Sequence, residues 1–159
     1  MELGLAIGLF AAAIAAILPG MGSAKAVGLA GETAAGVSAE TPEASSKLTL
    51  LQLLPATQGI YGFVIAIVIM AKIGIMGGSG AAVPVDKALM LLAAALPIAL
   101  VGYFSAIAQG KCAAGSMLMV GRRPEMQGKG MMMTAMVETY AVLALLISFP
   151  VSYTHLTLP

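Results

Sequence analysis

Charge is scarce in this chain. Only 9% of its 159 residues are charged, eight basic against seven acidic. A net charge of +1 with no basic–aromatic clusters excludes a nucleic-acid-binding surface. Tryptophan is absent, and phenylalanine and tyrosine number four each. The single cysteine, Cys112, can form no internal disulfide; placed after Lys111 in an Ala/Gly-rich stretch, it reads as a small packing residue. There is no zinc-ligand spacing and no Gly-rich phosphate loop, so neither a zinc site nor a nucleotide site is expected. The N-terminus has no basic region and its first charge is Glu2, which argues against a cleaved signal peptide and for a retained first helix.

What the chain has in excess is apolar surface: 60% of its residues are hydrophobic and the mean hydropathy is +0.99. A soluble domain of this length has too little interior to hide so much. A lipid-facing exterior resolves the problem, and the length accommodates four spans of about 20 residues with short loops. The expected fold is therefore an all-α membrane protein with four transmembrane helices.

The spans are expected at about 3–30, 48–76, 88–120 and 130–149, the last stopping before Pro150. Pro19 and Gly20 could bend the first. GGSGAAVPVDK, residues 77–87, reads as a Gly/Pro turn between the second and third. The stretch 31–47 carries Glu32, Glu40, Glu43 and Lys47; 121–129 carries Arg122, Arg123, Glu125 and Lys129. In a four-span chain both lie on one side, with Lys25 and Lys111 near it, against Lys72 and Lys87 on the other. The bias of basic residues makes loops 31–47 and 121–129 cytoplasmic and puts both termini outside.

A weak internal repeat divides the chain. GSAKAVG (22–28) resembles AQGKCAA (108–114), aligning Lys25 with Lys111. Each half then reaches a Pro-Glu pair, Pro42-Glu43 and Pro124-Glu125, and later sets a polar residue inside its second helix, Gln58 or Glu138. The chain reads as a duplicated helical hairpin in parallel repeat: residues 1–77 form the Gln58 half and 84–150 the Glu138 half. Spans one and three are rich in Gly and Ala, a composition that lets helix backbones approach closely in lipid.

Glu138, in MMMTAMVETYAVLALLISF, is the one acid deep inside an apolar span; Glu2, Glu32, Glu40, Glu43, Asp86 and Glu125 sit at a terminus, in loops or at span ends. A charge at mid-membrane depth costs about 2.5–3.5 kcal/mol on insertion scales, so such a residue marks a functional site. In LLPATQGIYGF, Leu54, Thr57, Gln58 and Tyr61 fall at i, i+3, i+4 and i+7, on one helix face. Pro55 lacks an N–H and frees the Leu51 carbonyl, and carbonyls at such a break are ready cation ligands. Gln109, in SAIAQGK, completes a set of oxygens with one negative charge. That set suits a small monovalent cation better than Ca²⁺ or Mg²⁺, which usually demand more carboxylates. Each polar residue also has a plainer reading. Gln58 and Gln109 could bond between helices as packing glue, and Thr57 could bond its own i−4 carbonyl. Tyr61 could be an interfacial aromatic, and Lys25 and Lys111 could snorkel.

GSAKAVGLAGE, LQLLPATQGIYGFVIAI, FSAIAQGK, RRPE and MVETYAVLALLISF occur in order from residue 1 to about 150. Together they resemble the membrane rotor subunit (the proteolipid, or subunit K) of V-type and archaeal-type rotary ATPases, most closely its bacterial sodium-translocating form. The resemblance implies a homo-oligomeric ring in a prokaryotic cell membrane. Its partners would be lipid, a stator membrane subunit with an essential arginine and the central stalk of the ATPase; the chain itself would bind no nucleotide and no nucleic acid. It implies Na⁺ held by the Leu54 carbonyl, Thr57, Gln58, Gln109 and Glu138, with Tyr61 hydrogen-bonding the carboxylate. It also implies an inner wall made by the Gly/Ala-rich spans. A proton would need only the Glu138 carboxyl, leaving the other ligands surplus, so Na⁺ is expected over H⁺. A small four-helix cation/drug antiporter also uses a buried Glu, but the shortage of aromatics leaves it little pocket. The tail VSYTHLTLP (151–159) departs from the pattern. It loses the apolar character of a helix end and reads as non-native, adapter-derived sequence.

Overall fold

The computed structural model describes residues 3–77 and 82–154. The described residues are nearly all helical: α1 (Leu3–Glu40), α2 (Ser45–Leu53), α3 (Thr57–Lys72), α4 (Val85–Arg122) and α5 (Gln127–Thr154). The short α2 and α3 are joined through a 3-10 turn at Leu54–Ala56, so they form a single bent span. Four helical spans are long and apolar enough to cross a membrane. Glu2, the tip of the 77–87 turn at Gly78–Ala81 and the tail from His155 onward lie outside the described residues.

The helix ends correct three expectations. The segment 31–47 is not a loop: α1 runs unbroken to Glu40 and carries Glu32 and Glu40 on its surface. Only Thr41 and a 3-10 turn at Pro42–Ala44 separate it from α2. Likewise α4 continues to Arg122, and a 3-10 turn at Pro124–Met126 leads directly into α5, leaving little of the 121–129 loop. The physical reason is the same in both halves. Charge does not stop a helix in water, whereas proline forces its predecessor out of the α region. Thr41 (φ −135°) and Arg123 (φ −141°) are extended before Pro42 and Pro124. Lys47 Nζ reaches the Pro124 carbonyl at 3.1 Å, tying the two turns together. The third correction lies at the other end. α5 does not stop at Phe149 but passes through Pro150 to Thr154. Ser152 there is buried and donates to the Ser148 carbonyl at 2.7 Å. The second span, by contrast, ends on glycine: Gly74 (φ 77°) lets Ile75 N–H return to the Met70 carbonyl at 3.2 Å.

At 1.5 Å per residue, the 38-residue α1 and α4 are each about 57 Å long, well beyond a hydrocarbon core of about 30 Å. They pack on each other more extensively than any other pair and run parallel: Gly22 meets Tyr103, Ala26 meets Gly110 and Val37 meets Gly121. Not all the small residues serve this contact, since Gly20 and Gly28 face open space. On the other side of α1, Gly62 of α3 lies against the Ala15 carbonyl and Pro19 so closely that no Cβ fits.

Two apolar clusters fill the bundle. One joins Ala11, Ala15, Ile65, Ile69, Leu91 and Ile98; the other joins Ala30, Leu48, Leu51, Ala113, Met117 and Val120. The residues between these clusters include buried polar groups: Ser23, Gln58, Ser105, Gln109 and Thr134. The outer surface is apolar, with Met132, Met133, Met136, Leu143, Leu146 and Ile147 of α5 exposed, as a lipid-facing helix requires.

Candidate ion site

The polar layer between the two clusters gathers the residues singled out from the sequence as ligands. The break at Pro55 sets its geometry on α3. Because the chain tightens to a 3-10 turn there, Thr57 Oγ1 donates to the Leu54 carbonyl, three residues back rather than four, at 3.0 Å. Thr57 Oγ1 also lies 3.5 Å from Gln58 Oε1. A main-chain carbonyl, a hydroxyl and an amide oxygen are thus grouped within one turn.

Gln58 and Gln109 are fully buried. Gln58 Nε2 donates to Gln109 Oε1 across α3 and α4, and Gln109 Nε2 donates to the Thr134 carbonyl of α5 at 3.2 Å. Two buried amides without partners would each cost several kcal/mol; here each serves the other. The pair therefore meets the helix-bonding role open to it from sequence, while its oxygens stay in the polar layer. Tyr61 is not an interfacial aromatic. It sits mid-span and its hydroxyl donates to Glu138 Oε1 at 2.5 Å, joining α3 to α5. Glu138 itself is only half-buried within one chain. It borders an open groove of about 380 Å³ with Ala135, Thr139, Val142 and Leu143, on the outward side of α5. Lys25 stays on the surface, its Nζ donating to the Tyr103 hydroxyl at 3.2 Å.

Chemically, the layer offers neutral oxygen donors on α3 and α4 and one carboxylate on α5. Among the described residues no three His, Cys, Asp or Glu side chains come together, so the arrangement lacks the charge for a multivalent metal. A small monovalent cation fits the donor set: hard oxygens, mostly neutral, balanced by one carboxylate.

Sequence reasoning passed over four hydroxyls in or beside this layer. Ser23 Oγ accepts from Gly59 N–H at 2.9 Å, and Ser105 Oγ donates to the Val137 carbonyl at 3.1 Å. Ser116 and Thr134 lie together between α4 and α5. Small hydroxyls in apolar helices carry no periodic signal, and only the packed neighbours reveal their partners.

The chain matches the family of the ATP synthase C subunit twice, over residues 10–69 and again over 92–150. It belongs to that family. The two matches fall one on each half of the chain, so the family's helical hairpin occurs here in duplicate. Among curated proteins it is similar to the V-type sodium ATPase subunit K of Enterococcus hirae, 46% identical over 146 residues that cover 92% of this chain and 90% of that protein. It is also similar to the A-type ATP synthase subunit K of Methanocaldococcus jannaschii, 36% identical over 140 residues, 88% of this chain and 60% of that protein's length. Family membership makes the chain a non-catalytic membrane subunit of a rotary ATPase.

Proposed function

We propose that the chain is a rotor-ring subunit of a V/A-type rotary ATPase that carries Na⁺ across the membrane at Glu138, with the ion held by the Leu54 carbonyl, Thr57, Gln58 and Gln109. The observation that carries this reading is the convergence of Tyr61 on Glu138 and of Gln58 on Gln109 in one layer between apolar clusters. The similarity to a protein named as a sodium ATPase subunit supports Na⁺ as the ion.

Copies of the chain form a ring. A carboxylate facing lipid is expelled by desolvation unless a cation neutralises it. Each Glu138 therefore crosses the lipid-facing arc only when loaded. It exchanges its ion where it meets a stator subunit whose arginine replaces the cation's charge. The groove beside Glu138 on the outward face of α5 is where such an exchange has access. Tyr61 holds the carboxylate toward α3 while the ion is bound. ATP hydrolysis on other subunits turns the ring through a central stalk. A single acid deep in the apolar part of a span, Glu138, with Gln58 in the corresponding position of the first half, gives one ion per chain per revolution. Such gearing moves few ions per ATP but works against a steep gradient. The turns at Pro42–Ala44 and Pro124–Met126 face the cytoplasm of a prokaryotic cell.

The test is carbodiimide labelling of Glu138 in membranes across pH, with and without Na⁺. Carbodiimides attack the protonated carboxyl, so bound Na⁺ protects it. Protection by Na⁺ is expected. Labelling that follows pH alone would make the rotor proton-coupled and reduce Thr57, Gln58 and Gln109 to packing residues.

A further inference from the structure

Three side chains of α4 reach main-chain carbonyls of α5. Ser105 Oγ donates to Val137 O at 3.1 Å, Gln109 Nε2 to Thr134 O at 3.2 Å, and Ser116 Oγ to Gly130 O at 3.2 Å. The numbers rise on α4 as they fall on α5, as antiparallel helices demand. Fully buried Thr134 strengthens the lower rung: its Oγ1 donates to the same Gly130 carbonyl at 2.9 Å and lies 3.3 Å from Ser116 Oγ. Gly130 O, the helical acceptor for Thr134 N–H, is thus also within reach of both hydroxyls, which are in turn within reach of each other, and α4 and α5 are joined at that level.

A main-chain carbonyl can only accept. The end of Gln109 that faces Thr134 O is therefore its NH₂, and its Oε1 lies at the other end. That oxygen accepts from Gln58 Nε2, which leaves Gln58 Oε1 on the side of Thr57 Oγ1. One acceptor on the α5 backbone thus orients two buried amides in series. Gln58 Oε1 is thereby directed at the side where Leu54 O and Thr57 Oγ1 lie, while Gln109 Oε1 faces Gln58 and away from Thr134 O. A glutamine turned end for end would present an NH₂ to the ion, which repels a cation.

We propose that Ser116 and Thr134 are positioning residues of the ion site. By fixing α5 against α4 they hold Thr134 O on Gln109 Nε2, and so keep amide oxygens rather than amide nitrogens toward the ion. The proposal rests on the reading of the site given above. Its chemistry resembles that of hydrogen-bond partners behind metal ligands, whose loss typically weakens binding about 10–100-fold.

The test uses assembled rings of the full chain. Glu138 labelling by carbodiimide is titrated with Na⁺ at fixed pH, and followed against pH without Na⁺, for wild type, Ser116→Ala, Thr134→Val and Thr134→Ser. The Na⁺ concentration for half-protection should rise about tenfold in Ser116→Ala and Thr134→Val. The pH midpoint without Na⁺ should stay in place, because protonating Glu138 does not depend on which way the amides face. Thr134→Ser, which restores the hydroxyl, should restore wild-type protection. Ser116→Ala removes a single oxygen and carries the test alone if Thr134→Val rings do not assemble. Wild-type Na⁺ protection in the variants overturns the proposal. So does a loss that Thr134→Ser fails to reverse, or one matched by an equal shift of the pH midpoint. A wild type indifferent to Na⁺ overturns the underlying sodium reading instead, and the wild-type titration tells that result apart.

Discussion

The two hairpins place their functional groups at the same level by different means. In the first, the helix is broken: Pro55 and the 3-10 turn at Leu54–Ala56 divide the span into α2 and α3 and turn a carbonyl, a hydroxyl and an amide toward the interior. In the second, α5 runs unbroken from Gln127 past Glu138, and the acid projects from regular helix. The supports differ as well. α3 is seated on α1 by shape, with Gly62 against Ala15 and Pro19, and by one bond from its Gly59 N–H to Ser23 Oγ, whereas α5 is held to α4 by side chains that donate to its carbonyls. In the proposed site the first half supplies only neutral donors, Leu54 O, Thr57 and Gln58, whereas the second supplies Gln109 together with the charge, Glu138. An unbroken helix suits the span that bears the charge, because every main-chain group of a lipid-facing span must be satisfied internally.

The most damaging way to break this division is to remove the charge. Glu138→Gln should abolish Na⁺ transport in reconstituted vesicles while leaving ring assembly intact; residual Na⁺ uptake would show that the first half can carry an ion unaided. Next come the neutral ligands. Gln58→Ala and Gln109→Ala should each weaken Na⁺ protection of Glu138 about 10–100-fold without loss of rings. Unchanged affinity in both would overturn the assignment of these two amides as ligands. The shape contact follows. Gly62→Ala forces a Cβ onto the Ala15 carbonyl and should cost about 1–3 kcal/mol, read as a lower temperature at which rings dissociate in detergent. Gly28→Ala, where a Cβ meets nothing within 4 Å, should change that temperature by little, under about 0.5 kcal/mol; a large loss there would mean that α1 packs closely between chains. The smallest functional effect is expected from Tyr61→Phe. It deletes the side-chain tie from α3 to the carboxylate, worth about 1 kcal/mol, and should speed carbodiimide labelling of Glu138 about fivefold.

The spans, and Thr57, Gln58, Tyr61, Gln109 and Glu138 as candidate site residues, stand out in the sequence for one reason: polar groups are conspicuous against an apolar background. Glu138, Gln58 and Gln109 are visible as cost, since each would be expensive in lipid without a partner. Helix ends were less legible. Expecting them at about 30 and 120, just before the charged stretches 31–47 and 121–129, treats charge as a terminator. Thr41-Pro42 and Arg123-Pro124 carried the physical stop signal, and α1 simply continues to Glu40 with Glu32 and Glu40 on its surface. The opposite error occurred at Pro150, where proline was read as a stop and α5 continues through it. The hydroxyls Ser23, Ser105, Ser116 and Thr134 were not legible at all. Each is a common small residue whose importance lies in the helix it faces. That partner is decided by packing between spans, with Ser23 reaching Gly59 and Ser105 reaching Val137.

The length of α1 and α4 has a mechanical consequence. Two parallel helices of 38 residues, packed along their whole course, leave several unbroken turns beyond the bilayer. In a ring of such chains these projections form a doubled, stiff collar on the side where the proline turns lie. Torque applied there would reach the ion-carrying layer with little angular lag, because continuous helix joins the point of attachment to the membrane.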